Sequence, residues 1–362
     1  MRLTWLLLAA HVPPDGQGGG MVRYVVELAR ALSALDGVEL HVTSARDSVP
    51  FWESVVEEPE YVHAMVRSPG PARNWLERKG WGCRAFGGTF DVVQGAKHLL
   101  PAAVGGSKVL TVHDFLPLDR PADFGFLKRS FLPDAYLSSI RQADCLLCVS
   151  EATRDRLVSY VPQASDRAHV VELAGNALNA EHPDAIPSLE GRPFALVVGD
   201  DSARKNVDFV IDLWDQVDRR RPGSVLALVG PSSWKPARRS RPDPPGVVRL
   251  GYVSAAQLAW AYTNATTVLC PSRLEGFGLP AREAADLQAR LITSEDPALC
   301  EVSGPDALHL PAFDGDAWAQ AICASFDSPH RPVHAPKPSR TWADVAHQSL
   351  EVVSDAIDRT DR

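Results

Sequence analysis

The residues of this chain best placed to do chemistry are two carboxylates around a short glycine-hinged loop and a cation pair some seventy positions earlier. Seven residues separate Glu275 from Glu283, with Gly276-Phe277-Gly278-Leu279-Pro280 inside the interval. Thr266-Thr267-Val268-Leu269-Cys270 just upstream is apolar and β-branched, as in a buried parallel strand, and Pro280 suits the first turn of a helix. The loop therefore sits at the carboxyl end of a strand. Gly276 and Gly278 are expected to take positive φ and let backbone N–H groups approach a ligand, while the helix starting near Leu279 turns its positive end toward the same spot. Carboxylates repel phosphate, so Glu275 and Glu283 are read as acceptors for hydroxyl groups, one on a sugar and one on a ribose. The plain alternative is an ordinary loop with a glutamate at a helix start. Arg204 and Lys205 follow the strand Phe194 to Val198 and the loop Gly199-Asp200-Asp201-Ser202-Ala203, just before a helix. Cations at a helix N-terminus oppose its dipole and need a reason; a departing diphosphate, which gathers negative charge, supplies one.

In the first half, His113 and Asp114 close the strand Val109 to Val112, with a satisfied buried histidine and a turn or cap residue as the alternatives. Ser150 reads as a helix N-cap with Glu151 favoured by the dipole. Gly16-Gln17-Gly18-Gly19-Gly20 follows the first strand, but Met21 stands where a dinucleotide-binding fingerprint needs its third glycine.

These landmarks together resemble the retaining glycosyltransferases of family 4, which have the two-domain GT-B fold. The resemblance is carried by the Glu275 to Glu283 segment, Arg204-Lys205-Asn206, Val229-Gly230-Pro231, Gly251-Tyr252-Val253-Ser254, Pro297 to Val302, His113-Asp114 and Val149 to Arg154, and covers nearly the full chain. It implies a hexose-type sugar passed from a nucleoside diphosphate donor to an acceptor hydroxyl with retention. The catalytic set would be His113, Arg204, Lys205 and Glu275. Gly276, Phe277, Gly278, Leu279, Glu283, Gly230 and Val253 would bind the donor, and Gly19, Gly20 and Asp114 would line a loop for diphosphate or acceptor. No cofactor and no metal are expected, because cations and amides already neutralise the phosphates. One departure is Gly175-Asn176-Ala177, where the family commonly shows Asn-Gly. The rival readings are a nucleotide-sugar epimerase or hydrolase of the same fold and a non-catalytic partner protein.

The chain of 362 residues is long enough for two cores. A net charge of −8 argues against a protein that coats nucleic acid or an anionic membrane. Trp5 to Ala10 is too short to span a bilayer and reads as a first strand. Cys83, Cys145, Cys148, Cys270, Cys300 and Cys323 are sparse, and no zinc constellation is complete, so a reduced, cytoplasmic location is the default. Peripheral contact at the inner face of a membrane stays open. Two basic and aromatic stretches, Arg73 to Trp81 and Phe124 to Arg129, could meet lipid headgroups or a sugar ring, with packed surface helices as the plainer account. Strand-like and helix-like segments alternate throughout, which predicts an α/β chain with two Rossmann-like domains whose parallel sheets face a central cleft. The expected division is an N-terminal acceptor domain over 1–182, a proline-containing linker over 183–193, a donor domain over 194–340, and a terminal helix over 341–362 that returns toward the first domain.

Overall fold

The computed structural model describes residues 2–56, 58–65, 89–101, 105–175, 183–231, 242–328 and 340–360. Two compact units emerge: Met1–Leu173 with Trp342–Arg362, and Ala174–Thr341.

The first unit holds a seven-stranded sheet of β1 (Leu3–Leu8), β2 (Val38–Ala45), β3 (Val62–Met65), β4 (Val92–Gly95), β5 (Ser107–Val112), β6 (Cys145–Cys148) and β7 (Ala168–Val170). All neighbours are parallel, in the order β3-β2-β1-β4-β5-β6-β7. Around it lie α1 (Gly20–Ser33), α2 (Val49–Glu53), α3 (Leu116–Asp119), α4 (Phe126–Gln142), α5 (Glu151–Tyr160) and, after the second unit, α11 (Trp342–Thr360). Ser150 caps α5, its hydroxyl accepting from the Thr153 N–H. The terminal helix belongs to this unit. Val345, Ala346 and Val353 on α11 are fully buried, Trp342 meets the Tyr24 ring of α1, and the Gln348 amide donates to the Val170 carbonyl at 3.1 Å.

The second unit repeats the plan with six parallel strands: β8 (Phe194–Val198), β9 (Val225–Val229), β10 (Val247–Gly251), β11 (Thr267–Cys270), β12 (Leu291–Ser294) and β13 (Leu308–Leu310), ordered β10-β9-β8-β11-β12-β13. Its helices are α6 (Val207–Arg220), α7 (Ala255–Asn264), α8 (Leu279–Asp286), α9 (Pro297–Val302) and α10 (Gly315–Asp327). β9 and β11 are buried along their whole length, as parallel strands covered on both faces must be. On α6, Val207, Val210, Ile211, Trp214 and Val217 recur at helical spacing and pack with Trp318, Ala319 and Ile322 of α10. In both sheets the strand order reverses next to the first strand, between β1 and β4 and between β8 and β11. Loops leaving neighbouring strands diverge there and leave a crevice at the carboxyl edge.

The division falls between Leu173 and Ala174, earlier than residue 182, and residues 183–193 are part of the second unit, not a linker. Ile186 and Leu189 are the reason: both are buried, Leu189 completely, and the Asp184 N–H donates to the Ala256 carbonyl at 3.3 Å. Prolines punctuate this segment without exposing it. If so, Leu189→Ala should lower the unfolding free energy of the second unit by about 2–5 kcal/mol, as for any buried leucine. Denaturant melts that leave stability within about 0.5 kcal/mol of wild type would return the segment to linker status.

Candidate functional site

Arg204 and Lys205 leave β8, and Glu275 leaves β11, so the two loops at the second unit's reversal point bring them together. The Arg204 guanidinium donates from Nη1 to Glu275 Oε2 at 2.9 Å, and the Lys205 ammonium donates to Glu275 Oε1 at 2.6 Å. The side chains are only 22% (Arg204), 14% (Lys205) and 7% (Glu275) exposed, so solvent screens the pairing weakly. Burial by itself would raise the Glu275 pKa. The Lys205 and Arg204 charges, with hydrogen bonds from Lys205 and Ser272, overcome it and hold the carboxyl at about 2. Glu275 thus serves as counter-anion to both cations, and the expectation that its carboxylate stands open for sugar hydroxyls is corrected to that extent. A carboxylate oxygen has a second lone pair, so accepting from a hydroxyl remains chemically available to it.

Each loop is fastened. Asp200 accepts from the Ser202 N–H at 3.0 Å, Lys205 N–H donates to the Ser202 carbonyl at 2.9 Å, and Asn206 takes a left-handed φ of 55° before α6 begins. The Lys205 stem runs 3.6 Å from where a Cβ on Gly199 would lie. The Arg273 N–H donates to the Arg204 carbonyl at 2.7 Å, joining the loops directly. Gly278 has φ +93° at the start of α8, and a Cβ there would fall 2.6 Å from Leu299 Cδ2. Gly276 does not take positive φ, so only one of the two expected glycine hinges is conformationally required. Lys205, Ser272, Glu275 and Gly278 share one crevice with apolar groups of β8, β11 and Leu299. Cys270 also lines it; its thiol is pushed up to about 12 by burial and is no nucleophile.

Glu283 is 1% exposed and sits on α8, where its Oε2 accepts from the Tyr262 hydroxyl at 2.7 Å. Gly230 and Val253 follow β9 and β10 at the same carboxyl edge, and the Gly230 N–H donates to the Gly251 carbonyl at 2.9 Å. Ser254 and Gln257 form a capping box that fixes the turn after Val253, leaving the Tyr252 ring 58% exposed beside it.

In the first unit, His113 follows β5 and is 7% exposed. Its Nε2–H donates to the Ala96 carbonyl at 3.0 Å, since a carbonyl can only accept. Burial lowers its pKa against the raising effects of that hydrogen bond and of Asp114, so the ring is neutral and Nδ1 keeps a lone pair. The Tyr24 ring meets it edge-on at 4.7 Å. Asp114 makes a turn, its Oδ1 accepting from the Leu116 N–H at 3.0 Å ahead of α3. Gly19 caps α1 at an ordinary φ of −68° with open space where a Cβ would go, and Gly20 is the helix's first residue. The glycine that the loop's geometry demands is Gly16, at φ +65° against the Phe51 ring.

Of the remaining candidates, Cys145 and Cys148 are buried strand residues, and no metal-binding group of three or more ligands occurs among the described residues. Phe126 is 72% exposed with the Arg129 guanidinium 5.6 Å from its ring, whereas Arg73 to Trp81, Asn176 and Ala177 lie outside the described residues. Two residues at the site were not anticipated. Asp296 accepts from the Glu275 N–H at 3.2 Å, and Tyr262 holds Glu283. Asp296-Pro297 carries the signature of a helix N-cap, but nothing in the sequence ties it to Glu275.

Residues 18–174 match the family described as Glycosyltransferase Family 4, and residues 192–328 match Glycosyl transferases group 1. The O-antigen chain mannosyltransferase B of Escherichia coli is 24% identical over 332 residues, covering 84% of this chain and 86% of that protein. The O-antigen chain mannosyltransferase RfbU of Salmonella typhimurium is 24% identical over 223 residues, 60% of each chain. Among solved structures, WaaG, a glycosyltransferase involved in lipopolysaccharide biosynthesis, superposes with a TM-score of 0.66 at 16% identity over 98% of this chain and 99% of that one. The chain belongs to the family 4 glycosyltransferases and has the GT-B fold.

Tyr262→Phe removes one donor from the fully buried Glu283 carboxylate, and should destabilise the protein by about 1–3 kcal/mol. Thermal melts of the variant at or above the wild-type midpoint would show that this hydroxyl does not support Glu283.

Proposed function

We propose that the chain transfers a hexose, with mannose the leading candidate, from a nucleoside diphosphate to a hydroxyl of a growing saccharide, with retention at the anomeric carbon and without a metal. The observation that carries this reading is the Arg204, Lys205 and Glu275 cluster at the reversal point of the second sheet. Two cations meet one carboxylate at a crevice beside the N-terminus of α8, whose positive end favours an anion. The relatives named for O-antigen mannosyl transfer favour mannose and a glycan acceptor.

In this mechanism Arg204 and Lys205 stabilise the departing diphosphate as it gains charge. A Glu275 carboxyl held at about 2 is too weak a base to take the acceptor proton at neutral pH. The acceptor oxygen therefore bonds to the anomeric carbon as the carbon–phosphate-oxygen bond breaks, and its proton passes to the departing phosphate oxygen. Glu275 positions the cations and sugar hydroxyls, Glu283 fits the ribose, and Tyr252 offers an exposed ring for a base to stack on. On the first unit, the neutral His113 presents Nδ1 as an acceptor for a sugar hydroxyl. No helix among the described residues is long and apolar enough to cross a membrane; we place the enzyme in the cytoplasm, with peripheral contact through the Phe126 and Arg129 region as its route to a membrane-borne acceptor.

Assaying products with UDP-, GDP- and dTDP-sugars, with and without saccharide acceptors, tests the reading: sugar should appear on the acceptor, while nucleotide released equally well without acceptor would favour an epimerase or hydrolase. Lys205→Ala should reduce kcat/KM by about 10²–10³-fold, the usual loss when one transition-state charge partner is removed. A wild-type rate in that variant would place the chemistry elsewhere. Activity should persist in EDTA, and a loss restored by magnesium would refute metal independence.

A further inference from the structure

Asp296 serves two elements at once. Its Oδ1 accepts from the Ala298 and Leu299 N–H groups at 3.1 and 3.3 Å, capping α9, while Oδ2 reaches out of the helix and accepts from the Glu275 N–H at 3.2 Å. Its own N–H donates to Ser294 Oγ at 3.4 Å, and that hydroxyl donates to the Ser272 carbonyl. The end of β12 is thereby tied to the Glu275 loop at two points. A cap needs only one oxygen, and turning the second toward Glu275 brings two carboxylates close together, an arrangement that costs free energy unless something is gained.

We propose that Asp296 is a positioning residue for sugar transfer: its ionised carboxylate fixes the Glu275 backbone so that the Glu275 side chain meets Arg204 and Lys205, and its protonation releases the loop and gives the reaction its acid limb. The proposal rests on the transferase reading above. Burial first, and then the Glu275 charge, push the Asp296 carboxyl up to about 6, against the pull of the backbone N–H groups of Glu275, Leu299 and Ala298. Of the ionisable groups around it, Glu275 comes from the loop after β11 with Arg204 and Lys205 paired behind it. Cys300 lies on the same helix and Glu295 is the preceding residue. The sign follows from the raised value. Asp296 is ionised above pH about 6 and takes up a proton as pH falls through it, so the hold on Glu275 is present at neutral pH and lost in mild acid.

Asp296→Asn separates the two jobs. The amide oxygen can still cap α9, but the amide nitrogen cannot accept from the Glu275 N–H. The variant should lose about 10- to 100-fold in kcat/KM at pH 7.5, the scale expected of a misplaced catalytic group, and the wild-type acid limb near pH 6 should disappear from its pH profile. Hydrogen exchange supplies a readout that needs no turnover: amides of residues 271–279 should exchange faster in the variant while those of 297–302 keep their protection. Retention of the acid limb, or unchanged exchange over 271–279, overturns the proposal. Failure of the wild type to transfer sugar from any nucleotide donor would instead contradict the transferase reading, with the exchange result still deciding whether Asp296 holds the loop.

Discussion

Everything at this site depends on one buried carboxylate meeting two cations. Alone, Glu275 would carry a desolvation penalty in a crevice walled by β8 and β11, and Arg204 with Lys205 would oppose the dipole of α6. Together each removes the other's difficulty. The pairing is possible only because β8 and β11, far apart in sequence, are neighbours in the sheet. Topology is thus what turns two unrelated loops into one charged cluster. Because the cations already have an internal partner, the diphosphate proposed as their ligand would have to compete with Glu275, and that competition would temper its affinity.

A different economy governs the first unit. His113 is uncharged and held by one backbone carbonyl, and its Tyr24 neighbour is anchored in a buried polar network. Trp5 Nε1 donates to Gln94, whose amide donates to Thr111 at 2.9 Å and to the Tyr24 hydroxyl at 3.3 Å. Networks of this kind are satisfied at every shown contact and so can be rigid without a net charge. The same α1 that carries Tyr24 receives Trp342 from the terminal helix, so the return of α11 bears on the packing behind His113.

Much of this was legible from residue order. The apolar run Phe194 to Val198 is a strand with the expected bounds, because a strand buried along nearly its whole length advertises itself by continuous hydrophobicity. The short strands Leu291–Ser294 and Leu308–Leu310 are not legible in the same way, since three or four residues carry too little pattern. The prolines of 183–193 suggested a linker where buried Ile186 and Leu189 make a packed segment. At the site, the residue types of Arg204, Lys205 and Glu275 announced charge chemistry. What spacing could not reveal was that they satisfy one another, that Asp114 closes a turn, or that Tyr262 and Asp296 hold the two glutamates. Apart from the local Asp114 turn, those facts arise from contacts across 21 to 71 positions of chain.

The central claim is that Glu275 occupies cations whose other partner is a diphosphate. Calorimetric titration of UDP, GDP and dTDP into the wild type and into Glu275→Gln tests it most directly. At least one nucleotide should bind the wild type, and the same nucleotide should bind the variant more tightly because the internal competitor has lost its charge. Equal or weaker binding by a folded variant, or no binding of any of the three to either protein, would contradict the account.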